Sequence, residues 1–269
     1  MEISKELINS IIKGNVVLFV GAGLSIGAGL NGWKELLKPL LDSINLPEKL
    51  QKDLTKAAQY YEIKNGRHSL IQHIIEETDT TNLEVTDNHK RLAKLGIRTW
   101  ITTNYDDLIE RTFKEMKIKY TKVVREENLP YTSSEKTTLV KLHGDRLDPN
   151  SIIITTKDYY TYFHRFQRIR EKITGLLIEK TFLFVGYSLN DIDFNQIYAE
   201  IAYDLKKHQR KAYLITFVKD EPSTDFIIEY LKDFNINVIG IEIDYKRKSE
   251  LLGILLDELI QEVNQFKTF

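Results

Sequence analysis

Three short segments carry side chains that could do chemistry together. His143 stands in Lys141-Leu142-His143-Gly144-Asp145. Asn104 stands 39 residues upstream, in Thr102-Thr103-Asn104-Tyr105-Asp106, and a glycine-rich Gly21-Ala22-Gly23-Leu24-Ser25 precedes both. Histidine is the side chain most easily poised as a base near neutral pH. Glycines directly after a strand let backbone N–H groups approach a phosphate and turn toward it. In this order, each after an apolar run, the segments point to a nucleotide pocket with a histidine base and an asparagine beside it.

Each segment also has a plainer reading. Gly27, Gly29 and Gly32 extend the glycine density, but Ile26 stands where a G-x-G-x-x-G pattern begun at Gly21 needs its third glycine and no Gly-Lys-Ser/Thr follows, so the loop can equally be a tight strand-to-helix turn. Asn104 and Asp106 either line the crevice at the carboxyl ends of the strands or cap the helix that follows. His143 is a base or a hydrogen-bonded histidine at a strand end. Gly186-Tyr187-Ser188-Leu189-Asn190-Asp191 is a fourth polar loop after a strand, with Asn190 or Asp191 as an alternative helix cap. Four such loops, each after its own strand, converge at one rim of a sheet. The other histidines (His68, His73, His89, His164 and His208) sit in polar contexts typical of a surface, and no pair has metal-ligand spacing.

The elements that must position these groups follow from apolar patterning. Short β-branched runs predict strands at Val16–Val20, Arg98–Thr102, Thr138–Leu142, Ser151–Thr155, Phe182–Val185, Ala212–Phe217 and Asn237–Ile243. Near-continuous apolarity is the mark of strands covered on both faces. Helical patterns at Asp106–Met116, Asp191–Lys207, Thr224–Phe234 and Ser249–Phe266 alternate with them, which predicts an α/β fold with a doubly wound, mostly parallel sheet. From about residue 33 to 95 the rhythm breaks into helices only: Trp33–Ile44, one starting at Pro47-Glu48 and running past Tyr61, Ser69–Glu77, and Asn88–Leu95 capped by Asp87 or Asn88. This predicts a helical insertion in one domain spanning residues 1–269. A further helical stretch, Lys157–Lys180, is placed beside it, and a cleft between insertion and sheet is a common ligand site.

The bulk numbers fit one large domain. The chain has 269 residues, 42% hydrophobic and 29% charged, with a formal net charge of −1. That balance offers no global electrostatic case for binding nucleic acid or an anionic membrane. The absence of cysteine excludes disulfides, thiolate nucleophiles and cysteine-based zinc sites, and it fits a reducing cytoplasm. Neither a signal peptide nor a membrane-spanning run is visible in the sequence.

These segments, in this order, resemble the sirtuin superfamily. Sirtuins carry Gly-Ala-Gly-x-Ser, Thr-Gln-Asn-x-Asp, Leu-His-Gly and a later Gly-Thr-Ser-type loop. Here the matching residues are Gly21 to Ser25, Thr102 to Asp106, Leu142-His143-Gly144 and Gly186-Tyr187-Ser188. Three departures stand out. Gly29-Leu30-Asn31-Gly32-Trp33 occupies the place of the deacylases' Pro-Asp-Phe-Arg, Thr103 replaces a glutamine, and the zinc module's four cysteines are missing. These departures are shared by a bacterial sirtuin-like branch that hydrolyses NAD in antiphage defence. The chain is similar to the catalytic domains of its Thoeris-type effectors through Ala58-Gln59-Tyr60-Tyr61, Asn88-His89-Lys90, Trp100 to Asp106, Lys141 to Asp145 and Lys180 to Gly186.

The resemblance implies a zinc-free, sirtuin-type Rossmann-like fold and NAD+ as substrate, with no metal. It makes His143 the base and a ribose contact. Asn104 positions the ribose and an attacking water, and Asp106 orients groups near the nicotinamide amide or holds the Asn104 loop. Gly21, Ala22, Gly23, Ser25 and Thr103 contact the dinucleotide around its pyrophosphate, and Gly186, Ser188 and Asn190 hold the adenosine half. It further implies a cytoplasmic homo-oligomer that is held off until triggered. The chain stops at Phe269, so the resemblance leaves either an isolated catalytic domain or a short effector. Control would come from a cyclic-nucleotide-sensing domain or a partner such as a HerA-type ATPase. Two other readings compete: an NAD-dependent protein deacylase, which would need an acylated peptide for nicotinamide release, and a non-catalytic NAD- or ADP-ribose-binding module, which would bind without turnover.

Overall fold

Runs such as Val16-Val17-Leu18-Phe19-Val20 and Thr181-Phe182-Leu183-Phe184-Val185 are buried at every position, as strands covered on both faces must be. The computed structural model describes residues 3–188, 192–219, 221–244 and 246–267. Its strands are β1 (Val16–Val20), β2 (Thr99–Thr102), β3 (Tyr120–Val123), β4 (Thr137–Lys141), β5 (Thr181–Val185), β6 (Ala212–Val218) and β7 (Ile236–Glu242). They form one parallel sheet in the order β3-β4-β2-β1-β5-β6-β7. Chain order reverses direction across β1, which places the loops after β1, β2, β4 and β5 side by side at the carboxyl rim.

Side chains alternate between two apolar layers. Leu18, Val20, Trp100, Leu139 and Leu183 face helices Lys5–Ile12, Asp87–Lys94, Leu108–Glu115 and Lys248–Lys267. Val17, Phe19, Ile101, Val140 and Phe184 face helices Gln167–Glu179, Ile192–Leu205 and Pro222–Asp233. Phe19 and Phe184 are fully buried with ring centroids 5.4 Å apart, and each contributes roughly 1.5–3 kcal/mol through its removal from water. The expected doubly wound α/β architecture is therefore present, with every strand pair parallel.

A third apolar cluster belongs to a stack of helices at Trp33–Ser43, Leu54–Asn65 and Arg67–Glu77, joined by a short 3-10 turn at Glu48–Leu50. The helix expected to run on from Pro47 breaks in two, because Asp53 caps a new start by accepting from Lys56 N. Helix Asp87–Lys94 packs apart from this stack: Leu92 and Ala93 join the sheet's own core, and Thr86, rather than Asp87 or Asn88, caps it. The stretch 157–180 likewise divides. Helix Thr156–Arg165 lies against Leu54–Asn65, whereas Gln167–Glu179 covers the sheet.

Two strand expectations need correction. Residues 151–155 form no strand. Ile152, Ile153 and Ile154 are apolar because they are buried between the stack and the sheet. Their backbone groups find side-chain partners: Arg67 donates to Ile152 O, Tyr105 to Ile153 O, and Asp158 accepts from Ile154 N and Thr155 N. Strand β3 escaped detection because it is a short edge strand. Tyr120, Thr121 and Lys122 are only half-buried, which dilutes the apolar signal.

Candidate active site

Gly21 turns the chain from β1 straight into a short helix, Ala22–Ile26, and this turn is held by the loop after β5. Gly21 N donates to Val185 O at 3.0 Å and Gly23 N to Gly186 O at 2.8 Å. Gly186 has φ +64°, and a Cβ there would lie 2.6 Å from Leu24 N; one on Gly21 would collide with Gly186 O. The glycines therefore serve first to let two loops touch backbone to backbone. Gly21 sits behind the cleft, whereas Ala22, Gly23, Ser25, Gly186 and Ser188 line it.

Beside this pair, the loop after β2 carries Asn104, which is 7% exposed. Its Nδ2 donates to Ser25 Oγ at 3.0 Å and to Gly21 O at 3.3 Å, and its backbone N–H donates to Thr102 Oγ1 at 3.1 Å. Ser25 also hydrogen-bonds Asp106, whose carboxylate accepts from Leu108 N at 3.0 Å. Asp106 thus both caps the following helix and belongs to a chain Asp106–Ser25–Asn104. Burial pushes the Asp106 carboxyl above its ordinary value, against the pull of Lys141. Among the described residues, Asn104 Oδ1 is buried without a hydrogen-bond partner. That acceptor is available to a ligand hydroxyl or a water.

His143 follows β4 and is 5% exposed. Its Nδ1 lies 3.3 Å from the Tyr159 hydroxyl, and the rings meet edge to face at 5.1 Å and 75°. Gly144, at φ +96°, turns the chain away at once; a Cβ there would lie 2.8 Å from Ile152 N. Beneath these loops, Lys141 is fully buried. Its ammonium donates to Asp106 O at 2.6 Å, Tyr105 O at 3.0 Å and Glu110 Oε1 at 3.2 Å. Lys122 pairs with both Glu110 and Asp145. Burial raises Glu110 despite both lysines, while for Asp145 the effect of burial is outweighed by Lys141 and Lys122 and its carboxyl falls below its ordinary value.

These loops and the helical stack enclose a cleft of about 810 Å³, within the roughly 300–1,000 Å³ typical of small-molecule sites. Thr103, Asn104, Asp106 and His143 line it together with Trp33 and Tyr159. Its far end is walled by Thr216, Phe217, Lys246, Lys248 and Ser249, with the Lys248 ammonium 5.5 Å from the Phe217 ring centroid. The sequence reading missed this end. The strand-end rule that singled out the other loops applies equally to β6 and β7, but no glycine marks them. Asn190 lies outside the described residues. His89 is not the surface residue its polar neighbours imply: it is 1% exposed, Nδ1 meets Thr86 Oγ1 at 2.8 Å, and burial lowers its pKa to about 4. The His164 side chain lies outside the described residues.

Fold and cleft together define a Rossmann-like α/β protein with buried polar groups at the carboxyl rim of a parallel sheet. The SIR2-like domain family matches residues 98–239, and the chain belongs to it. NAD(+) hydrolase ThsA of Acinetobacter baumannii (strain 532279) is 38% identical over 258 residues, covering 88% of this chain and 53% of that protein. ThsA of Enterococcus faecium is 34% identical, covering 92% and 56%. Defense-associated sirtuin 2 of Bacillus subtilis is 23% identical over all of this chain and 28% of its own length. The chain spans about half the length of the ThsA relatives it matches. Among the described residues no helix is long and apolar enough to cross a membrane, and no three His, Cys, Asp or Glu side chains are placed to hold a metal ion.

Proposed function

We propose that the chain is an NAD+ glycohydrolase that converts NAD+ and water to nicotinamide, ADP-ribose and a proton. The observation that carries this is the convergence of Ser25, Asn104, Asp106 and His143 on one cleft, with the Asn104 acceptor buried and unpartnered. Nicotinamide is a cationic leaving group, and its departure builds oxocarbenium character on the ribose carbon. The protein need only hold the ribose, stabilise that charge and admit water. Asn104 Oδ1 accepts from the attacking water or a ribose hydroxyl. His143 contacts the ribose and takes a proton from its hydroxyls. Ala22, Gly23, Ser25 and Thr103 lie against the pyrophosphate region, with Gly21 supporting them from behind. Gly186 and Ser188, with the Phe217 and Lys248 end, receive the adenosine half.

The same reading takes the chain to be a single catalytic unit over residues 1–269. It makes the protein a cytoplasmic antiphage effector that aborts infection by depleting NAD+, acts as a homo-oligomer and is controlled by a further domain or partner protein. Its support is the likeness to proteins named NAD(+) hydrolase and defense-associated sirtuin.

Chromatographic detection of nicotinamide and ADP-ribose from NAD+ tests the chemistry. His143→Ala and Asn104→Ala are each expected to lower turnover roughly 10²–10⁴-fold with an unchanged circular dichroism spectrum. Full activity in folded His143→Ala protein would overturn the assignment. Specific activity that rises with protein concentration is the expected mark of assembly.

A further inference from the structure

The buried ionic cluster beneath the loops takes no part in the chemistry just described, yet its geometry links the two reacting elements. Strands β2 and β4 are neighbours, with Thr102 opposite Lys141. Asn104 lies two residues past Thr102, and His143 two residues past Lys141. Lys141 therefore stands at the last paired rung before both functional loops diverge. Its side chain crosses from β4 to the β2 loop and donates to the carbonyls of Tyr105 and Asp106, the two residues after Asn104. Its third donor goes to Glu110 in the helix that the same loop leads into. The ammonium therefore ties the His143 strand to the Asn104 loop by two bonds and to the helix that follows by a third.

The rest of the cluster makes such a cation tolerable. Glu110 and Asp145 are 4% and 1% exposed at their side chains, and Lys122 bridges them from the edge strand. Two cations thus face two carboxylates, and no charge is buried alone. Asp145 is itself seated by Ser151 Oγ, which accepts from its backbone N–H, and by Leu147 N, which donates to its carboxylate.

We infer that Lys141 is a positioning residue for this reaction: it sets the placement of Asn104 relative to His143 by clamping the Tyr105 and Asp106 carbonyls. The inference rests on the proposed NAD+ hydrolysis for its kinetic consequence, though not for its structural one.

A charge-balanced pair of variants tests it. Glu110→Gln leaves both carbonyl bonds of Lys141 in place and is expected to keep turnover within about threefold. Lys141→Met combined with Glu110→Gln removes the clamp together with one charge of each sign; Asp145 keeps Lys122, and Asp106 keeps its bonds from Ser25 and Leu108 N. That double variant is expected to stay folded by circular dichroism, to bind NAD+ within about threefold of the Glu110→Gln affinity by calorimetry, and to lose about 100-fold in kcat. Hydrogen exchange supplies a readout independent of turnover. Amides from Asn104 to Leu108 are expected to exchange at least tenfold faster in the double variant than in Glu110→Gln, with β1 unchanged. Equal exchange in this segment would overturn the clamp, and so would equal kcat in two folded variants. Should the wild-type chain prove inactive on NAD+, the exchange result alone decides the inference. If the double variant fails to fold, comparison of Lys141→Arg with wild type by the same exchange measurement replaces it. An unmoved Asn104–Leu108 segment in that variant, whose larger head cannot reproduce the three bonds, would equally overturn the clamp.

Discussion

Gly186→Ala measures how tightly the two loops under the cleft depend on each other. The substitution carries two separate costs. The backbone at φ +64° is left-handed, which costs an L side chain roughly 1–2 kcal/mol. The new methyl group would also sit 2.6 Å from Leu24 N and 3.1 Å from Gly23 C, and such overpacking against fixed backbone costs roughly 1–3 kcal/mol. The expected destabilisation is about 2–5 kcal/mol, or a fall in melting temperature of about 4–20 °C at the roughly 2–4 °C per kcal/mol usual for a chain near this size. Relief by pushing the Gly21 turn and the helix Ala22–Ile26 away moves Ser25 and with it Asn104, so NAD+ turnover should fall as well. Gly175→Ala is the matched control. It lies inside helix Gln167–Glu179, and a Cβ there meets nothing within 4 Å, so alanine should stabilise by roughly 0.5–1 kcal/mol. Differential scanning fluorimetry and an NAD+ turnover assay on both proteins check the reasoning. Equal melting temperatures for the two variants would refute it.

Two further outcomes are expected. His89 is held neutral in the fold, its pKa lowered from 6.5 to about 4 by burial, so protons bind the unfolded chain preferentially as the pH falls. Stability complete above pH 6.5 should be lost on the way to pH 4, by about 2–3 kcal/mol between pH 7 and pH 4.5. Urea unfolding at the two pH values should show a smaller loss for His89→Gln; parallel losses would exclude His89 as the cause. Tyr105→Phe removes the 2.6 Å bond from the hydroxyl to Ile153 O and leaves that buried carbonyl unsatisfied. It should cost roughly 1–3 kcal/mol in a denaturant titration, and a change below about 0.5 kcal/mol would mean the carbonyl finds another donor.

The sheet was legible because its strands are buried on both faces, so apolarity alone marks Val16–Val20 or Thr181–Val185. The same rule misled at Ile152–Ile154, where burial comes from a helical stack and backbone needs are met by Arg67, Tyr105 and Asp158. Residues that line the cleft were legible where a strand ends in a glycine, an amide or a histidine. What stayed hidden were contacts between residues distant in sequence. Nothing in the local sequence of Lys141 distinguishes a fully buried cation from a solvated one; its acceptors lie 31 to 36 positions away. His89 looks solvated beside Asn88 and Lys90, yet Asn88 bonds Ser249, 161 residues on, and the C-terminal helix closes over that side.

The helical stack over the cleft rests on an apolar cluster of its own, joined to the rest through Tyr105, Ile152 and Ile154. Substitutions at Trp33, Leu36 or Leu54 reshape the cleft wall without touching the apolar layer on either face of the sheet. The polar groups of the cleft descend from strand ends, and the wall facing them descends from the stack. Selection can therefore reshape the opening of the cleft while the strand-end groups are inherited intact.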